Sequence, residues 1–135
     1  MSGKEILVDT NIILHLLKGS EVLVTTLQGK DLYISFITEL ELLGYRGISK
    51  SHEEDVIQLL GYCSIIPMNS AIKDAYIDIT RKHQLKLPDA LIAASAITLE
   101  IPFITEDKGF KKITELDLIF YHRTAPLAEP RKGSQ

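Results

Sequence analysis

Five short apolar runs frame this chain: Glu5 to Asp9, Leu32 to Ser35, Ser64 to Met68, Ile101 to Thr105 and Leu118 to Tyr121. Between the first four lie stretches with helical spacing, namely Thr10 to Leu17, Glu21 to Gln28, Ile37 to Arg46, Ser51 to Tyr62, Ser70 to His83 and Asp89 to Leu99. The runs are nearly continuous in apolar character rather than alternating, which is the pattern of parallel strands covered on both faces. Strands joined through helices give right-handed crossovers and an α/β domain. Asp89 to Leu99 is apolar almost all round and reads as a buried helix. Pro88 suits its first turn, where a missing N–H costs nothing. Ser51-His-Glu-Glu54 reads as a capping box that opens the helical stretch to about Tyr62.

Composition narrows the function classes. At 135 residues and 45% hydrophobic, the chain fits one domain with its own core. No apolar run reaches the roughly 18 residues of a membrane span, and the polar Met1-Ser-Gly-Lys-Glu5 start does not read as a signal peptide. A single cysteine, Cys63, excludes an internal disulfide framework and a Cys-rich zinc site and fits a reducing, cytoplasmic location. The net charge of −3 argues against a generic electrostatic coat on DNA without excluding a nucleic-acid substrate.

Where the acids fall is more informative. In an open parallel sheet, ligands bind beyond the carboxyl ends of the strands. Asp9 ends the first run, Asp107 follows the fourth by two residues, Asp89 opens the apolar helix, and Glu41 lies in the helix after Leu32 to Ser35. Each has a local alternative. Asp9 fits a helix N-cap, Asp89 a first-turn acid facing the helix dipole, and Asp107 a turn residue. Thr38-Glu-Leu-Glu41 fits a capping box. Glu39 sits about 200° from Glu41 around a helix, so the two do not share a face. Four carboxylates on one rim repel, and protons or a hard divalent cation relieve the repulsion. A set without His or Cys favours Mg²⁺ or Mn²⁺, ions suited to phosphoryl chemistry.

Four segments in order resemble the PIN domain family, and more narrowly the VapC-type toxins of toxin–antitoxin pairs. They are Leu7-Val-Asp-Thr-Asn-Ile-Ile-Leu14, Ile34-Ser-Phe-Ile-Thr-Glu-Leu-Glu-Leu-Leu-Gly44, Leu87-Pro-Asp-Ala-Leu-Ile-Ala-Ala-Ser-Ala96 and Phe103-Ile-Thr-Glu-Asp-Lys-Gly-Phe110. The resemblance implies a three-layer α/β/α domain over residues 1–122 with a central, mostly parallel sheet, followed by a tail, 123–135. It implies a metal-dependent endoribonuclease using Mg²⁺ or Mn²⁺, with Asp9, Glu41, Asp89 and Asp107 as metal-binding and catalytic acids. Thr10, Asn11 and Thr105 match positions that support the acids by hydrogen bonding. Glu41 rather than Glu39 precedes the Leu-Leu-Gly that follows the family's glutamate, and Glu106 adjoins Asp107 as a second carboxylate. An RNA substrate, a homodimer and a small antitoxin covering the acidic groove are further implications.

Other residues carry weaker signals. Lys108, Lys111 and Lys112 follow Asp107 and are candidates for RNA phosphate contacts, or else form a solvated face. His15, His52, His83 and His122 share no metal-ligand spacing, and Cys63 reads as a small core residue. The five tyrosines are dispersed, with no stacking platform in view. Three competing readings stay open: a PIN nuclease of RNA processing outside toxin pairs, a PIN-like module that binds RNA or protein without cutting, and a haloacid dehalogenase-like phosphatase. The last expects a second Asp two residues after the first, where this chain has Asn11.

Overall fold

A computed structural model describes residues 3–122. The expected tail, 123–135, lies outside the described residues. The element order is β1 (Glu5–Val8), α1 (Thr10–Leu17), α2 (Glu21–Leu27), β2 (Asp31–Ser35), α3 (Phe36–Leu43), α4 (Lys50–Leu60), β3 (Ser64–Ile66), α5 (Ser70–Lys82), α6 (Leu87–Leu99), β4 (Phe103–Thr105), a 3-10 turn (Lys108–Lys112) and β5 (Leu118–Phe120). The five strands form one sheet in the order β3-β2-β1-β4-β5, and every pairing is parallel.

The continuous apolar runs have a direct physical cause. Successive side chains of a strand point to opposite faces, and here both faces are covered. Leu7 and Phe103 enter one core with Ile72, Ile79 and the buried face of α6. Ile6, Val8 and Ile104 enter a second core with residues of α1, α2, α3 and α4. A strand between two cores has no position left for a solvated polar residue, so α/β/α layering and unbroken apolar strands are one constraint seen twice.

Helix α6 is the most deeply placed element, with every residue from Ala90 to Ala96 buried. Its small side chains let it lie close to the sheet and α5, and this positions its first turn at the carboxyl rim. Several boundaries differ from the sequence-based expectation. Helix α4 starts at Lys50, and Ser49, not Ser51, caps it by accepting from the His52 N–H. Helix α3 is capped by Ser35 and ends at Gly44, so Thr38 lies inside it and the Thr38–Glu41 pair is no capping box. Capping motifs depend on where the chain enters the helix, which the overlapping Ser/Thr choices here leave undecided.

The close approach of α6 is testable. Ala93 is fully buried, and enlarging it overfills a packed layer. Ala93→Leu should cost about 1–3 kcal/mol in urea unfolding; unchanged stability would show that α6 does not pack as closely as described.

Candidate metal centre

The sheet order places the site. After β1, the chain builds β2 and β3 on one side, then crosses to add β4 and β5 on the other. The crevice between the carboxyl ends of β1 and β4 is therefore a topological switch point. Asp9 follows β1 directly, and its backbone N–H donates to the Ile104 carbonyl of β4.

Asp9 both caps α1 and faces this crevice. One carboxylate oxygen, Oδ1, accepts from the Thr10 N–H at 2.9 Å. The other, Oδ2, accepts from the Thr105 hydroxyl at 2.6 Å. Thr105, fully buried at the end of β4, also accepts from the Asp107 N–H at 3.0 Å. One threonine thus ties two of the candidate acids together. Asp107 in turn caps the 3-10 turn, with Oδ1 accepting from the Gly109 N–H at 2.8 Å.

Glu41 is held from the other side. The Thr10 hydroxyl donates to its Oε1 at 2.6 Å. That hydroxyl has one hydrogen, so at its 3.0 Å contact with Thr38 it is the acceptor and buried Thr38 the donor. Thr38, expected as a cap, is instead the first link of a relay to Glu41. Asp89, half-buried in the first turn of α6, feels the charges of both Asp107 and Glu41. Glu39, on another face of α3, is not among those influences. Glu106 turns aside as well, because its carboxylate meets the His15 Nε2 at 2.7 Å.

The electrostatics follow from burial. Asp9 is only 6% exposed. Burial pushes its carboxyl from the ordinary 3.8 up to about 6. The hydrogen bonds from Thr105 and Thr10 oppose that rise, and the charges of Asp89 and Asp107 add to it. Burial is also the largest influence raising Asp89, reinforced by Asp107 and Glu41 and partly offset by Lys86. Among the described residues no three His, Cys, Asp or Glu side chains are close enough to cage an ion as they stand.

Not every expected residue joins this group. Asn11 is exposed and lines a neighbouring cavity rather than bonding to the acids. Lys111 lies over the Phe120 ring, 4.1 Å from its centroid. Lys112 donates to the Gln84 carbonyl, fastening the 3-10 turn to the loop before α6. Lys108 is exposed beside Asp107. The His15–Glu106 pair and the Thr38 relay have no local sequence signal, since their partners lie 91 and 28 residues away.

Comparison with known proteins agrees with this architecture. A family model described as PIN domain matches residues 6–116. Among solved structures, a toxin–antitoxin complex from Klebsiella pneumoniae is 30% identical with a TM-score of 0.72, covering 84% of this chain and 95% of that one. VapBC-1 from nontypeable Haemophilus influenzae is 25% identical with a TM-score of 0.73, covering 86% and 97%. VapBC2 from Rickettsia felis, bound to a DNA fragment from their promoter, shares the fold at 20% identity with a TM-score of 0.77, covering 87% and 99%. None of the curated proteins matches. The chain belongs to the PIN domain family, and its fold resembles that of VapC. No helix among the described residues is long and apolar enough to cross a membrane.

The raised carboxyl of Asp9 predicts a pH dependence. The folded state holds this proton more tightly than the unfolded chain, so its contribution is full below about pH 4 and is lost as pH rises through about 6. The shift corresponds to up to about 3 kcal/mol. In metal-free urea unfolding, Asp9→Asn should gain stability over wild type between about pH 4 and about pH 7 by that order. A constant difference across the range would contradict the burial account.

Proposed function

We propose that the protein is a divalent-metal-dependent endoribonuclease, the toxin of a toxin–antitoxin pair. The observation that carries this reading is a buried carboxylate, Asp9, placed at the switch point with Asp89, Asp107 and Glu41 acting on the same crevice. The hydrogen bonds from Thr105 and the Thr10 N–H offset only part of the cost of burying it.

The donor set fits a hard cation, because it offers carboxylate oxygens without His or Cys. Asp9, Glu41, Asp89 and Asp107 would hold Mg²⁺ or Mn²⁺. When bound, such an ion supplies an activated water and offsets charge on a phosphodiester undergoing hydrolysis. The chain's own residues prepare that site. Thr105 and the Thr10 N–H fix both oxygens of Asp9, while the Thr38–Thr10 relay fixes Glu41. Like charges on the four acids repel, and a bound divalent cation would offset that repulsion. Lys108, exposed beside Asp107, would meet an RNA phosphate. Hydrolysis in this manner leaves 5′-phosphate and 3′-hydroxyl ends.

An antitoxin partner and a homodimer belong to the same reading. The Klebsiella and Haemophilus structures are a toxin–antitoxin complex and a VapBC pair. In this chain, a cavity of about 490 Å³ beside Glu41 is walled by Leu14, Leu42, Tyr45 and Ile48. These apolar walls, with Glu41, Lys18 and His52 also in the lining, suit a partner segment that is mainly apolar.

Cleavage of single-stranded RNA should require Mg²⁺ or Mn²⁺ and stop with EDTA, and Asp89→Asn should be folded and inactive. Thr105→Val, which removes the support of Asp9, should weaken apparent metal affinity by about 10- to 100-fold. Full activity of purified Asp89→Asn, or cleavage that survives EDTA, would overturn the assignment.

A further inference from the structure

Beside Asp107 lies a cavity of about 590 Å³ with an unusual lining for this acidic rim. Phe120, Tyr121 and His122 supply rings, Asn11 and Lys108 supply an amide and an ammonium, and Glu106 and Asp107 supply carboxylates. The three rings are consecutive in sequence, and the pairing of β5 with β4 is what sets them beside Asp107. The Phe120 and His122 centroids are 4.9 Å apart with their planes at 71°. Lys111 lies over the Phe120 ring, and Tyr121 leans on His15 at 5.8 Å. Phe120 and Tyr121 thus have partners of their own in the fold, which lowers the entropic cost of stacking against them, and His122 is exposed beside Phe120.

The cavity is rigidly linked to the acids. The Tyr121 N–H donates to the Thr105 carbonyl at 2.8 Å, while the Thr105 hydroxyl bonds Asp9 and accepts from the Asp107 N–H. One residue thus sets the spacing between the ring cluster and the acidic crevice. The Glu106 carboxylate in this lining is hydrogen-bonded to the His15 Nε2 at 2.7 Å, which turns it toward α1. The combination of flat rings, an amide with donor and acceptor, and one ammonium matches a nucleotide better than a bare anion.

We propose that this cavity is a nucleobase subsite, in which an RNA base adjoining the cleaved phosphodiester stacks on the Phe120 and His122 rings while Lys108 meets its phosphate. Asn11 is the residue placed to read the base edge. This rests on the ribonuclease reading above, and it assigns Phe120 and His122 a binding role rather than a catalytic one.

The test uses the full chain with Mg²⁺ and two probes, adenosine 5′-monophosphate and ribose 5-phosphate, followed by NMR. The nucleotide should shift the Phe120 and His122 resonances, and ribose 5-phosphate should not. Phe120→Leu and His122→Ala, each checked for unchanged thermal unfolding, should bind the nucleotide about tenfold more weakly. On a single-stranded RNA oligomer the loss should fall mainly on KM. If RNA is cleaved but both variants keep wild-type KM and nucleotide affinity, the subsite is wrong and the nuclease assignment stands. Equal binding of ribose 5-phosphate also overturns it. If wild type binds the nucleotide through these rings yet cuts no RNA, the subsite holds and the nuclease reading fails.

Discussion

The Thr105–Asp9 hydrogen bond is the interaction on which the rest of this molecule depends. It joins the carboxyl ends of β1 and β4, the two strands that flank the point where the sheet reverses its order. Parallel strands buried on both faces leave only their ends for polar chemistry, and here the ends hold an acid and a hydroxyl. The same threonine fixes the Asp107 N–H through its hydroxyl and the Tyr121 N–H through its carbonyl. Acidic crevice and neighbouring ring cluster therefore share one anchor.

Keeping Asp9 at that point is costly to the fold. Two hydrogen bonds satisfy its oxygens, yet burial and the nearby acids still outweigh them and push its carboxyl up to about 6. Stability alone would favour an uncharged residue there. Strain of this kind concentrates at functional sites, where a ligand relieves it. A divalent cation is the ligand whose chemistry fits four carboxylates, and the supporting threonines orient the acids that would receive it.

Much of the fold was legible because a two-faced strand writes itself as an unbroken apolar run. Ile6-Leu7-Val8 serves two cores at once, and the nearly all-apolar α6 is the element buried deepest. The candidate acids were legible by position, since strand ends and helix starts meet at one rim in this topology. Local motifs misled where two readings competed. Thr38–Glu41 looked like a cap but serves a relay through Thr10, whose distance in sequence no local window covers. The basic run after Asp107 looked like one surface, yet its members divide among the Phe120 ring, the Gln84 carbonyl and solvent. The Phe120-Tyr121-His122 run is plain in the sequence, but its place beside the acids depends on the pairing of β5 with β4, which no local window covers.

The central claim is that the acids at the switch point form a cation site, and direct ion binding tests it without reference to any substrate. Electron paramagnetic resonance of Mn²⁺ titrated into the wild-type chain should show saturable binding near neutral pH. Asp9→Asn and Asp89→Asn should lose most of it while remaining folded. Wild-type binding no stronger than that of the two variants would contradict the account.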